Sequence, residues 1–109
     1  MRTWGFLTNH AHVLIQIARN PESTVREIAL ETGITERATH AVLKDLRQAK
    51  IVLAKRHGRQ NTYEIDVAAL MDHPHWAPSQ MEIPQQLIEA TVRGLGRLAM
   101  GGKDARLAG

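Results

Sequence analysis

The sequence contains no cysteine, so disulfide bonds, thiolate zinc sites and thiol redox sensing are excluded. It also lacks long hydrophobic runs, and none of its apolar segments approaches the ~20 residues that a membrane-spanning helix needs. Residues 1–6 show neither a long apolar segment nor a small-residue cleavage site, so the sequence predicts no export signal. We therefore expect a cytoplasmic protein.

No arrangement of residues that is typical of an enzyme is present. Serine occurs only at Ser23 and Ser79, and neither lies in a nucleophile motif. The glycines of residues 94–102 end a predicted helix and follow no strand, so they do not form a phosphate-binding loop. Even His73 and His75, the most closely spaced histidines in the second half, have no cluster of carboxylates beside them. The sequence therefore predicts no enzyme activity, no cofactor and no metal site.

What the chain does contain is positive charge in one region. The 109 residues suit one small domain, and the formal charge of +3 is only mildly basic. Residues 35–60, however, carry seven basic and two acidic side chains, a local net charge of +5. The basic residues are Arg37, Lys44, Arg47, Lys50, Lys55, Arg56 and Arg59, and the acidic ones are Glu36 and Asp45. Such a concentration of charge favours a partner that carries phosphates.

Two helices with a glycine turn after the second are predicted at the start of the chain. The first covers residues 8–19 and is apolar around much of its circumference, so we expect it to be buried on more than one side. Pro21 separates it from the second helix. Thr24 and Glu27 form the pattern of a capping box, and Gly33 permits the left-handed conformation that ends the second helix after Thr32.

The third helix, predicted over residues 36–49 with Thr35 as its cap, has the cleanest amphipathic pattern. The arc expected to pack contains Ala38, Thr39, Val42, Leu43, Leu46 and Ala49. The opposite arc contains Glu36, Arg37, His40, Ala41, Lys44, Arg47 and Gln48. Because nothing apolar larger than Ala41 lies on the second arc, this face is free to contact a partner or to remain a solvated charged face.

A basic hairpin is predicted after the third helix. Residues 51–55 and 62–66 read as strands, with Tyr63 and Ile65 facing inward, and residues 55–61 form the loop between them. Gly58 permits the tight reversal of the chain. Asp66 caps a short helix over residues 67–71. We assign residues 1–72 to one domain.

The C-terminal third is predicted as a linker over residues 73–83, a helix over residues 84–100 and a flexible tail over residues 101–109. The helix carries an apolar arc that suits a homodimer interface, formed by Leu87, Ile88, Val92, Leu95 and Leu98. Alternatively, the helix folds back on its own domain.

The segments 24–29 (TVREIA), 33–38 (GITERA) and 42–46 (VLKDL) resemble bacterial winged helix-turn-helix transcriptional regulators of the MarR and ArsR type. The resemblance covers about residues 7–66. It implies that the third helix lies in the major groove of DNA and that the hairpin, or wing, touches the backbone or the minor groove. Two positions depart from the family pattern: Ala41 stands where arginine is frequent, and Lys50 stands where glycine commonly ends the helix, so the helix exit is expected to differ.

The DNA-binding candidates carried over from the resemblance fall in two groups. Those on the helix are Thr35, Glu36, Arg37, His40 and Lys44, and those on the wing are Arg56, His57, Arg59 and Asn61. Arg37 is the best candidate for reading a base, since arginine binds guanine O6 and N7 in a bidentate fork. A phosphate contact or an ion pair with Glu36 is the alternative.

The resulting prediction is a mostly α-helical winged helix-turn-helix protein with a small β-hairpin and an added C-terminal helix. Its predicted function is that of a homodimeric regulator of transcription that binds double-stranded DNA sequence-specifically. The alternative is a winged-helix module that docks on protein or scaffolds an assembly without specific DNA binding. Trp4 and Trp76 suit either a small-molecule pocket between subunits or packing, and the sequence indicates no particular effector.

Overall fold

Five helices and one antiparallel hairpin make up the fold of the described residues. The computed structural model describes residues 5–74, 76 and 81–108, with side chains up to residue 99. The elements are α1 (Asn9–Arg19), α2 (Val25–Thr32), α3 (Glu36–Gln48), β1 (Val52–His57), β2 (Gln60–Ile65), α4 (Val67–Met71) and α5 (Gln85–Ala108). The predicted fold class, mostly helical with a hairpin and an added C-terminal helix, is confirmed.

Side-chain caps fix the start of each of the first four helices. The hydroxyl of Thr8 accepts a hydrogen bond from the amide of Ala11, at 3.3 Å, and Thr35 does the same for the amide of Ala38, at 3.0 Å. The carboxylate of Asp66 caps α4. Each cap satisfies a backbone amide that has no partner within its helix, so these local signals set the boundaries that the sequence predicted.

The capping box at α2 is complete. The Glu27 amide donates to the Thr24 hydroxyl at 3.1 Å, and the Thr24 amide donates to the Glu27 carboxylate at 3.0 Å. The hydrogen bond from the Thr24 backbone lowers the pKa of Glu27, and the contact with the Thr24 side chain adds to this effect. The predicted reciprocal cap is therefore confirmed.

The ends of α2 and α3 both use a left-handed residue. Gly33 has φ +75° and ends α2 as predicted. Lys50, after α3, has φ +62°, while its amide bonds the Arg47 carbonyl and the Ile51 amide bonds the Leu46 carbonyl. This pair of bonds is the Schellman arrangement that glycine usually completes. The expectation that α3 exits differently at Lys50 was wrong, because the lysine adopts the glycine conformation.

The hydrophobic core is centred on α1, which lies against α2, α3, α5 and β2. Val13 and Ile17 are fully buried, and Leu14 and Ala18 are nearly so, which confirms that α1 is covered on more than one side. Other core side chains include Ile28 of α2, Val42, Leu43 and Leu46 of α3, Val52 and Tyr63 of the hairpin, and Val92 and Leu95 of α5.

A buried polar contact holds the segment between α1 and α2. The amide nitrogen Nε2 of Gln16 donates to the Ser23 hydroxyl at 3.1 Å, and that hydroxyl donates to the Asn20 carbonyl at 2.8 Å. Both Gln16 and Ser23 are buried. Because buried polar atoms need partners, the two side chains stabilise each other and fix the turn that brings α2 against α1.

The hairpin is longer than predicted, and its loop is shorter. β1 and β2 pair from Val52↔Ile65 to His57↔Gln60, so only Gly58, at φ +64°, and Arg59 remain in the turn. The tight turn lets the polar flanking residues pair through their backbones, and an apolar pattern is not needed for that. Tyr63 is buried and Ile65 is half-buried, which confirms their inward direction.

Helix α5 begins one residue after Pro84 and continues to Ala108, whereas the sequence predicted an end at residue 100 and a tail from residue 101. A glycine inside a helix costs about 1 kcal/mol relative to alanine, which weakens the helix without stopping it. Trp76, before α5, packs against the core and donates from Nε1 to the Leu70 carbonyl at 3.0 Å. Trp4 and His75 lie outside the described residues.

Candidate nucleic-acid interface

The surface of α3 is divided as the sequence predicted. Thr39, Val42, Leu43 and Leu46 are buried in the domain, and Ala38 and Ala49 are half-buried. All seven residues of the opposite arc are exposed, from Glu36 and Arg37 in the first turn to Arg47 and Gln48 in the last. One face of α3 is thus held by the core, while a face that carries Arg37, Lys44 and Arg47 points to solvent.

Three residues of the predicted set, Thr35, Glu36 and Arg37, lie exposed at the start of α3. Glu36 and Arg37 are exposed and extend from the start of the helix. The hydroxyl of Thr35 also accepts a hydrogen bond from the Ala38 amide, and its carbonyl accepts one from the hydroxyl of the buried Thr39. Thr35 therefore has a structural role in starting the helix.

The wing carries its predicted residues on strands and not in an open loop. Arg56, His57 and Asn61 belong to β1 and β2, and Arg59 lies in the turn. Arg56 donates from Nε to the Gly58 carbonyl at 3.0 Å, so its guanidinium is held over the turn. All four side chains are exposed.

A groove of about 570 Å³ lies between α3 and the wing. It is lined by Val25, His40, Leu43, Lys44, Arg47, Gln48, Asn61 and Tyr63. The groove brings His40 and Lys44 of the predicted set together with Asn61, whereas the other six predicted DNA-binding residues do not line it. Arg47 and Gln48 were missed as site residues, although their position on the exposed arc of α3 was the signal that could have included them.

Asp45 and Glu64 are next in sequence to residues that line the groove, but each pairs with a residue that does not line it. Asp45 of α3 accepts a hydrogen bond from His10 of α1, with Oδ2 and Nε2 2.9 Å apart. Glu64 of β2 forms an ion pair with Lys55 of β1 at 3.1 Å. None of the described residues that line the groove carries a carboxylate, so the groove has a positive electrostatic character.

The residues predicted for dimerisation do not share one environment. Val92 and Leu95 are buried in the core of the same chain, where α5 lies against α1 and α4. Ile88 is half-buried against that core, while 55% of Leu87 and 38% of Leu98 remain exposed. The helix therefore folds back on its own domain through the middle of the arc and leaves its two outer leucines at the surface.

The comparison with known families agrees with this architecture. The family model described as MarR family matches residues 4–60, which is more than half of the chain and extends from before α1 to the start of β2. The chain belongs to the MarR family. This result supports the MarR part of the resemblance and indicates a winged-helix regulator of transcription; the likeness to ArsR regulators and a bacterial origin stay predictions.

No curated protein and no solved structure matches the chain. Among the described residues of this MarR-family chain, no helix is both long enough and apolar enough to cross a membrane.

Proposed function

We propose that this MarR-family protein is a cytoplasmic regulator of transcription that binds double-stranded DNA sequence-specifically. The observation that carries the proposal is the division of α3: four side chains fix one face in the core, and the other face is entirely exposed and predominantly basic. A helix held in this way can enter the major groove without losing its support from the domain.

The dimensions of α3 suit this role. Its 13 residues give a length of about 20 Å, and a helix fits the major groove, which is ~12 Å wide. Arg37, exposed in the first turn, is proposed to read guanine. The wing, with Arg56 held over its turn, is proposed to contact the backbone or the minor groove beside it.

We propose further that the functional unit is a homodimer. The exposed Leu87 and Leu98 of α5 offer an apolar contact for a second copy, and a two-fold dimer presents two α3 helices to one duplex. Two half-sites of an inverted repeat would then be about one turn of DNA apart, roughly 34 Å. No enzymatic activity is part of this proposal.

The proposal is tested by selecting genomic fragments that the intact chain retains, followed by titration of the selected duplex and of an unrelated duplex at several salt concentrations. We expect one enriched sequence with two-fold symmetry and binding that weakens steeply as salt rises. Replacement of Arg37 by alanine should cost about 1–3 kcal/mol on the selected duplex and relax base preference at one position of each half-site.

A different outcome would favour the interaction module. If the chain binds no duplex in dilute buffer, or binds all fragments equally with no dependence on salt, specific DNA recognition is excluded. A uniform loss of affinity in the Arg37→Ala variant would make Arg37 a phosphate contact while leaving the DNA-binding function intact.

A further inference from the structure

The turn between α1 and α2, residues 20–23, lies beside the wing. The Tyr63 amide of β2 donates to the Pro21 carbonyl at 2.8 Å, so β2 is held by this turn as well as by its pairing with β1. Nearer the tip of the wing, the side chain of Gln60 makes a longer contact of 3.5 Å with the Glu22 carbonyl. The turn therefore anchors β2 and fixes where the wing stands relative to the domain.

The conformation of the turn is set by a buried side chain of α1. Nε2 of Gln16 donates to the Ser23 hydroxyl at 3.1 Å, and this hydroxyl donates to the Asn20 carbonyl at 2.8 Å. The Ser23 amide donates to the same carbonyl at 3.1 Å. Ser23 is fully buried and Gln16 is only 8% exposed, so water does not compete for these bonds. Gln16 and Ser23 thus close the turn whose middle carries the two carbonyls that meet β2.

Stability alone gives no reason for this polar pair. Burial of two polar side chains carries a desolvation penalty, and replacement of both partners by apolar groups of the same shape can be nearly neutral. What an apolar pair lacks is direction, because a hydrogen bond restricts the distance and the angle between its two atoms. The pair therefore suits a role in fixing the position of the segment that it closes.

The part of the molecule that depends on this position is the outer half of the wing. Gln60 pairs with His57 and Asn61 pairs with Arg56, so a displacement of β2 carries the tip with it. The buried residues that hold α3 lie on that helix and not in the turn. A change in the turn can therefore move the wing and leave α3 in place.

We infer that Gln16 and Ser23 are positioning residues for the wing: they hold the turn that anchors β2, and so place Arg56 and Arg59 against the backbone of bound DNA. This inference rests on the proposed DNA-binding function and extends it to two buried residues that do not touch DNA. Their effect on affinity passes through the wing, whereas the reading of bases by α3 does not depend on them.

The main test replaces both partners, as Gln16→Met/Ser23→Ala in the intact chain, so that neither is left with a buried polar group that has lost its partner. The midpoint of denaturant unfolding should stay close to that of the wild type. Binding of a selected duplex and of an unrelated one should weaken equally, by about threefold to tenfold, because backbone contacts carry no sequence information. The slope of log affinity against log salt should fall by about 0.9 for each phosphate contact that the wing loses.

A chain without the wing cations separates positioning from a general effect on the fold. In an Arg56→Ala/Arg59→Ala background, the two buried replacements should cause no further loss of affinity, since the charges that they place are gone. Thr32→Val is the matched control, because it also removes a hydroxyl bonded to a backbone carbonyl, that of Ile28 at 2.6 Å, but this bond lies within α2. It should leave affinity and salt slope unchanged.

Hydrogen exchange of the free wild-type chain tests the coupling without any variant. The amides of Ser23 and Tyr63 should become exchangeable in the same opening event, with equal protection and equal dependence on denaturant. In Gln16→Met/Ser23→Ala, the Tyr63 amide should exchange at least about tenfold faster than in the wild type, while the Leu46 amide of α3 keeps its protection.

Three results would overturn the inference. Wild-type affinity and wild-type exchange of Tyr63 in the double variant would show that the buried pair does not position the wing. An undiminished loss of affinity in the Arg56→Ala/Arg59→Ala background would show a general effect on the fold. A Tyr63 amide that exchanges freely while the Ser23 amide stays protected would show that β2 detaches from the turn. If the wild-type chain binds no duplex, the proposed function fails instead, and the exchange of Tyr63 still decides whether Gln16 and Ser23 hold β2.

Discussion

His10 of α1 and Asp45 of α3 are joined by a contact of 2.9 Å between Nε2 and Oδ2, although 35 positions separate them in the sequence. The contact links the most buried helix of the domain to the helix that carries the proposed reading face. Its two side chains remain 47% and 62% exposed, so its contribution to the free energy of unfolding is small. Its importance lies in the position of the Asp45 charge, next to Lys44 on α3.

Replacement of Asp45 by asparagine should separate the effect of this contact on stability from the effect of the charge on DNA binding. The free energy of unfolding should change by less than about 1 kcal/mol, because a contact between two exposed side chains contributes little. Affinity for duplex DNA should rise, since one negative charge is removed from the helix that carries the proposed DNA-reading arc. Denaturant unfolding and DNA titration measure the two quantities. An exposed acidic residue on α5 provides the control, and Glu89→Gln should leave DNA affinity unchanged. Equal effects of the two variants on DNA affinity would contradict the proposal that α3 faces the DNA.

Lys50 offers a test of backbone strain. Its φ of +62° lies in the left-handed region, which costs a residue with a Cβ atom about 1–2 kcal/mol. Replacement by glycine should therefore raise the free energy of unfolding by about 1 kcal/mol, measured by denaturant titration.

Gly33→Ala is the matched opposite change, because Gly33 has φ +75° and a Cβ atom there would meet nothing within 4 Å. It should destabilise the domain through backbone strain alone, by a similar amount. If Lys50→Gly destabilises the protein, the side chain of Lys50 makes a contribution larger than its backbone strain.

The capping box at Thr24 and Glu27 predicts how the stability of the domain depends on pH. The Thr24 contacts lower the pKa of Glu27 below its ordinary value of 4.5, so the folded state prefers the ionised carboxylate. This stabilisation is fully present above the ordinary pKa and is lost as pH falls through the lowered pKa of the folded state. The difference in melting temperature between the wild type and Glu27→Ala should therefore shrink on acidification.

Thermal unfolding between about pH 3 and pH 7 measures this difference. Glu31→Ala is a suitable control, because Glu31 is an exposed glutamate near the end of the same helix. Its difference from the wild type should not follow the same course. A constant deficit of Glu27→Ala across the whole range would show that the carboxylate does not act through its charge.

The helix caps and the glycine turn, which depend on neighbouring residues, were accessible from the sequence, whereas contacts between residues distant in sequence were not. Thr24, Thr35 and Gly33 act within one turn of chain, so their roles were predicted correctly. The buried bond between Gln16 and Ser23 was missed, because it requires knowing how the segment after α1 folds back.

The candidate site was likewise predictable only in part. Helical periodicity was sufficient to separate the buried and exposed arcs of α3. The groove was not predictable, because it forms only when β2 places Asn61 opposite the last two turns of α3. The Tyr63 amide bonds the Pro21 carbonyl at 2.8 Å, which fixes β2 through a segment 42 positions away, and no local pattern encodes that contact.

The homodimer is best tested at the two leucines that the domain leaves at the surface of α5. Removal of the whole C-terminal third would also remove Val92 and Leu95 from the core, so a truncated chain would mix unfolding with dissociation. Leu87→Glu and Leu98→Glu together place charges on the proposed interface and leave the buried residues in place. We expect the wild type to sediment as a dimer at micromolar concentration and the double variant to sediment as a monomer with unchanged helix content.

Leu30→Glu on α2 is the matched control for this experiment, because Leu30 is 72% exposed and lies away from α5 in the sequence. It should leave the dimer intact, since Leu30 belongs to α2 and lies outside the interface proposed on α5. Because two α3 helices on one duplex bind more tightly than one, the monomeric double variant should also lose affinity for the inverted repeat while keeping its weaker affinity for a half-site. A wild-type chain that sediments as a monomer would exclude the dimer. Dissociation by Leu30→Glu alone would move the interface to α2.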